Sequence, residues 1–393
     1  MNQLSEYLPS RIKRGARNMG EIESRLPSQN PRPFQRSRGW LAVAGSLSAW
    51  LRHEVAALDP ACFALVMATG IVSNSLFLEG YPVASNVLLA LNLGAYPWLC
   101  LLTGWRAARF GRALRGDLFN PRMVFSFFTF VAATDVLGLA LDLRGFTTFA
   151  LSLWSLAIIA WFALIYLGFG VLLLRNNQDG ADVANGAWLN GIVGTQSLVL
   201  LGSHAVPAES LGPSAAMLIY ALWMLGLALY GVYAVLLSHR AFFFDLKAAD
   251  VTPILWVVMG AAAISANAGA TLAAGNSYLP FLHSIQPFVG GVTLALWGWA
   301  TWWIPLLLLL GIWKHLILRT PITYTPVLWS IVFPLGMYAV TSLRVSRLAG
   351  VPSLETWAWT ITWIALAAWA ATWAALGVAS LRSLRAGVAL AES

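Results

Sequence analysis

Ten times between residues 61 and 381 the sequence returns to an apolar run long enough to cross a bilayer, and charged residues, Gly or Pro separate each run from the next. The runs cover residues 61–79, 83–103, 123–141, 147–174, 188–206, 211–237, 253–274, 287–313, 326–343 and 356–381. A crossing takes about 20 apolar residues, and a backbone in hydrocarbon must satisfy its own hydrogen bonds, so such runs fold as helices. Composition points the same way: 59% of the 393 residues are hydrophobic and 10% are charged, where soluble domains average about 45–50% and about 25%. That balance argues against soluble hydrolases, secreted modules and nucleic-acid binders.

Flanking charge sets the topology. With the N-terminus inside, 21 of the 24 Lys and Arg residues fall on the inner side, leaving only Arg144, Arg344 and Arg347 outside. Gaining or losing one helix midway would scramble that bias, so the spacing predicts ten spans with both termini cytoplasmic, in a plasma membrane such as the bacterial inner membrane. Residues 1–39 read as a disordered basic cytoplasmic tail, with no short apolar core of the kind that marks a signal peptide. In residues 40–58, Trp40, Val43, Leu47, Trp50, Leu51, Val55 and Leu58 recur at helical spacing. This fits equally a helix lying flat on the membrane and an ordinary packed amphipathic helix. The membrane domain then occupies 59–382, and 383–393 form a short cytoplasmic tail.

The spans alternate in chemistry. Odd ones hold Thr69, Ser73 and Asn74; Thr134 and Asp135; Asn190, Thr195, Gln196 and Ser203; Ser265, Asn267 and Thr271; and Ser330, Tyr338 and Thr341. Even ones are rich in Leu and Trp, as in Trp297, Trp299, Trp302 and Trp303 or Trp357, Trp359, Trp363, Trp369 and Trp373, which suits lipid and its interfaces. Polar side chains in hydrocarbon seek the bundle interior or water. The arrangement expected is therefore an all-α integral membrane protein: five helical hairpins, odd helices inside and even helices around them, a central pathway built from one repeated unit. Asn74, Asp135, Gln196 and Asn267 are the candidate pore-lining residues. Each can instead serve helix packing, and the odd-span glycines Gly70, Gly138, Gly194, Gly260, Gly269 and Gly336 fit either role.

The chemistry of an enzyme or pump is missing. No GxSxG, HExxH or GxxxxGKS pattern occurs, and His204 and His283 each stand alone in sequence. Cys62 and Cys100 lie in apolar stretches, which leaves neither a disulfide framework nor a thiolate metal site. No catalytic residue, metal or cofactor is expected, and transport is passive or ion-coupled. Asp135 is the one acid deep in a span, a candidate proton site whose alternative is a structural hydrogen bond. In the ninth span Pro334 removes a backbone hydrogen bond, and Phe333 before it is placed either to close a pore or, as an ordinary span phenylalanine, to fill the core or face lipid.

The stretches WSIVFPLGMY, FALVMATGIVS, NGAWLNGIVGTQSLVLLG, MGAAAIS and WGWATWWIPLLLLLGIWKH, in five different spans, resemble the tellurite-resistance/dicarboxylate transporter family. That family groups slow anion channels with tellurite-resistance, malate and sulfite permeases. The resemblance runs from about Asp59 to Arg382. It implies ten helices about a quasi-fivefold central pore, commonly in a homotrimer, with the ninth-helix phenylalanine, here Phe333 beside Pro334, occluding the path. It also implies small anions as cargo: C4-dicarboxylates such as malate, sulfite, tellurite, chloride or nitrate. Asp135 departs from the neutral tunnels of that family, so it faces away, is protonated, or makes the protein a proton-coupled dicarboxylate carrier. A non-transporting scaffold and a membrane enzyme are the remote alternatives.

Overall fold

The computed structural model describes residues 51–175, 186–206, 213–243, 248–275 and 279–392. The tail expected at 1–39 and residues 40–50 of the amphipathic segment lie outside them, while 51–56 are helical with Val55 buried. Among the described residues there is no strand. The helices are α1 (Ala64–Leu78), α2 (Pro82–Arg109), the short α3 (Gly111–Leu118), α4 (Phe128–Asp142), α5 (Thr147–Arg175), α6 (Leu189–Ala205), α7 (Pro213–Phe243), α8 (Trp256–Ala274), the short α9 (Pro280–Ser284), α10 (Gln286–Ile312), α11 (Trp329–Ala349) and α12 (Ser353–Glu392).

Five of them, α1, α4, α6, α8 and α11, form a closed ring: each packs on the next, and α11 returns to α1. The others make an outer layer. Helices α2, α5, α7, α10 and α12 each lie on the inner helix that precedes them in sequence and touch the following one around the ring. In four inner helices 72–83% of the most apolar stretch is buried, against 11–33% in the outer five. In α6 every residue except Ser203 and His204 is buried. Among exposed large apolar side chains the inner helices contribute only Leu348. The alternation of polar and apolar spans is thus an alternation of inner and outer position, because only the outer layer meets lipid.

Nine described helical stretches are long and apolar enough to cross a membrane, and α6, at 17 residues, is not among them. An inner helix is enclosed by protein, so it tolerates Asn190, Thr195, Gln196 and Ser197 where a lipid-facing one would not. The last helix outruns its apolar stretch: at 40 residues, α12 is about 60 Å long, twice a hydrocarbon core of about 30 Å.

Each inner helix starts in a 3₁₀ turn: Pro60–Phe63, Val124–Phe127, Gly186–Trp188, Pro253–Leu255 and Pro326–Leu328. Three begin with proline after an extended Asp59, Thr252 or Thr325. A residue before proline is driven out of the helical region, and proline at a helix start sacrifices no hydrogen bond. Asp59 adds a cap, accepting from Ala61 N at 2.8 Å. The five turns touch one another in a closed ring of their own, so all five inner helices begin at the same end of the bundle.

Tryptophans of the outer layer divide into two groups. Trp299, Trp302, Trp357, Trp359 and Trp363 are exposed at the lipid side as their composition suggests. Others turn inward and donate to the next inner helix: Trp161 Nε1 to Thr195 Oγ1 (2.8 Å), Trp223 Nε1 to Ser265 O (3.0 Å), Trp297 Nε1 to Ser342 Oγ (3.0 Å) and Trp369 Nε1 to Thr69 Oγ1 (2.9 Å). Tyr96 of α2 meets Thr134 Oγ1 in the same way at 2.8 Å. At least one aromatic clamp therefore serves each of the five hairpins, and several inner-helix hydroxyls are satisfied from outside the ring.

Candidate functional site

The ring interior is built by close backbone approach. A Cβ at Gly70 would stand 2.7 Å from Val136 Cγ1, one at Gly138 2.5 Å from Leu201 Cδ2, and one at Gly336 2.8 Å from Ile71 Cγ2. These glycines are seams between inner helices. Gly260 matters most, because its missing Cβ would lie 2.7 Å from Pro334 Cγ and 3.3 Å from Pro334 Cα. A proline ring cannot swing aside as a leucine tip can, so α8 and α11 stay in register only with glycine here. Gly260→Leu is expected to lower thermal stability in detergent by about 1–3 kcal/mol, as overpacking does.

Pro334 sits inside α11 with no N–H to offer Ser330 O. Phe333 beside it is 0% exposed and among the largest fully enclosed side chains of the protein. No solvent reaches it in this conformation.

The four polar candidates are equally enclosed, at 0–1% exposed. Asn74 Nδ2 donates to Val136 O at 3.3 Å, bridging α1 to α4. Asn267 Nδ2 lies 3.3 Å from Met337 Sδ, bridging α8 to α11. Asp135 meets Ser197 across the α4–α6 seam. Gln196 differs: its Nε2 donates to Trp223 O of the outer helix α7 at 3.1 Å and fills the space beside Gly226. The structure thus brings Asn74, Asp135 and Asn267 to seams within the ring and turns Gln196 toward the outer layer. Each keeps one buried oxygen without a partner: Asn74 Oδ1, Asp135 Oδ1, Gln196 Oε1 and Asn267 Oδ1.

Ser197 carries a single proton, yet its Oγ lies 2.7 Å from Asp135 Oδ2 and 2.9 Å from Gly194 O. If Asp135 is the neutral acid, it donates to Ser197 and Ser197 donates to Gly194 O, and both contacts become sound hydrogen bonds.

At the opposite end from the 3₁₀ ring lies a group that sequence reading missed. Arg344 looked like a loop residue after a span ending at 343, but α11 continues to Ala349 and carries Arg344 on its last turns. Its Nη1 donates to Thr271 Oγ1 of α8 and its Nη2 to His204 Nε2 of α6, the latter at 2.9 Å. His204, alone in sequence, is therefore partnered in space. The signal that could have found this group is a shared position: His204, Thr271 and Arg344 all sit near the C-terminal ends of odd spans. No cluster of three or more His, Cys, Asp or Glu suited to a metal occurs among the described residues.

In sequence the chain has clear relatives. An uncharacterized membrane protein of Mycobacterium tuberculosis is 38% identical over 148 residues, which cover 35% of this chain and 75% of that protein. Two uncharacterized transporters of Methanocaldococcus jannaschii are 23% and 25% identical over 312 and 313 residues, covering 77% and 78% of this chain and 89% and 88% of theirs. A family model described as voltage-dependent anion channel matches residues 57–376, which takes in the 3₁₀ ring, all five inner helices and most of the outer layer. The chain therefore belongs to the SLAC1, voltage-dependent anion channel, family of multi-pass membrane proteins.

Proposed function

We propose that the protein passes small anions across the membrane along the axis of the inner ring, with Phe333 closing the path. The observation that carries this reading is the double ring: five parallel helices whose N-terminal turns meet at one mouth. Each helix start carries about half a positive charge, so that mouth attracts anions without a fixed cation, as discontinuous helices do in transporters. Ten helices cross the bilayer, the 3₁₀ ring faces the cytoplasm with both termini, and the working unit is a homotrimer in the bacterial inner membrane. The inside excess of Lys and Arg supports the orientation, and family resemblance supports the trimer. Cargo is a small anion, with malate, sulfite, tellurite, chloride and nitrate as the candidates, and selection is by size and dehydration. The protein performs no catalysis and needs no cofactor.

A second reading is a proton-coupled dicarboxylate carrier, and the Asp135–Ser197–Gly194 geometry favours it, because that contact is complete only with a proton on Asp135. Reconstituted vesicles separate the two. For a channel, chloride and malate flux is independent of an imposed pH gradient and Asp135→Asn leaves it within about twofold of wild type. For a carrier, malate uptake requires the gradient, and Asp135→Asn lowers it by the tenfold or more expected on losing a transferable proton. No anion movement in folded protein would overturn both.

A further inference from the structure

We infer that Arg344 is an anion-docking site at the mouth opposite the 3₁₀ ring, taking a small oxyanion or carboxylate; this rests on, and sharpens, the transport reading above. Helices α6, α8 and α11 follow one another around the ring, so α6 and α11 are separated by α8. The Arg344 guanidinium nevertheless spans from α11 past Thr271 of α8 to His204 of α6. Behind α8 the outer layer is filled by α7 and α10, which pack against it. The side chain therefore crosses on the inner side of α8, over the mouth of the ring.

Among the described residues its charge meets no counter-charge there. Both contacts are to neutral groups, a hydroxyl and an imidazole. Guanidinium nitrogens only donate, so His204 Nε2 accepts and the imidazole proton sits on Nδ1. The one salt bridge among the described residues is Arg106–Asp117 at the other end of the bundle. Two contacts leave three of the five guanidinium N–H groups for a ligand, in a fork that matches a carboxylate or oxyanion. Arg347, exposed one turn further along α11, adds charge of the same sign. Thr271 is itself anchored to Asn267 O at 2.9 Å, so the fork is held in place before any ligand arrives.

The alternative is that Arg344 only offsets the negative C-terminal ends of the inner helices. The test uses full-length protein in vesicles in the Phe333→Ala background, with chloride and malate as probes. Flux is measured against anion concentration for Arg344, Arg344→Lys and Arg344→Gln. Arg344→Gln is expected to raise the half-saturating concentration about tenfold, the local enrichment a fixed charge at a cleft supplies. Its maximum flux is expected to persist, and Arg344→Lys is expected to recover most of the loss for chloride but less for malate, which loses the fork. Unchanged concentration dependence in Arg344→Gln, while Phe333→Ala vesicles conduct, would overturn the docking site and leave the transport reading standing. Vesicles of folded Phe333→Ala that pass no anion would overturn both. A monodisperse peak in detergent before reconstitution shows which variants have folded.

Discussion

Phe333→Ala is expected to raise anion flux through reconstituted vesicles about a hundredfold, equivalent to removing about 2.7 kcal/mol from the barrier. The ring is fully enclosed, beside a proline that leaves Ser330 O without its usual backbone donor. On the proposed gate, dehydrated anions pass an apolar constriction poorly, and deleting the ring would remove it. Loss of a buried phenylalanine also costs about 3–5 kcal/mol of stability, so Phe333→Leu, which keeps most of the volume, is the necessary companion. Its flux is expected to fall between wild type and Phe333→Ala. A Phe333→Ala protein that is monodisperse in detergent and conducts no better than wild type would remove Phe333 from the gate.

Asp117→Asn is expected to destabilise the protein by about 3 kcal/mol, because it strands a buried arginine without its counter-charge. Arg106, at the end of α2, has a side chain only 6% exposed and donates from Nη2 to Asp117 Oδ2 at 2.6 Å. Its Nε donates to Ala56 O at 3.2 Å, which ties residues 51–56 to α2 and α3. One guanidinium thus holds three segments at the end of the bundle where the 3₁₀ turns lie. The measurement is the thermal midpoint in detergent, read for Asp117→Asn alone and with Arg106→Met. The double variant is expected to recover much of the loss, since removing both charges leaves no buried charge unpaired. Equal midpoints for wild type and Asp117→Asn would show that the pair contributes nothing to stability.

The inward tryptophans show where one-dimensional reading stops. Trp297 and Trp302 belong to one apolar span and look alike in sequence, yet Trp297 donates to Ser342 while Trp302 is 53% exposed. Helix phase decides between them, and phase is weakly marked when nearly every residue is apolar. Gln196 and Asn267 are a similar pair: both are amides in odd spans, but Gln196 faces the outer helix α7 and Asn267 the ring neighbour α11. Arg344 was hidden by its own charge, which ended the apolar run at 343, six residues short of the helix end at Ala349.

By itself the sequence determined the class of the molecule, the alternation of the two layers and the glycine and proline positions. Those follow from a solvent that cannot hydrogen-bond: lipid requires helices of a certain length and sends polar groups inward, wherever they fall along the chain. Only the tertiary structure decided that the six odd-span glycines are close helix approaches, that Asp135 lies against Ser197 and Gly194, and that Arg344 reaches His204 across 140 positions of sequence. Such contacts depend on how far each helix is rotated and shifted against its neighbours. That is set by the shapes of side chains packing together, which no single span contains.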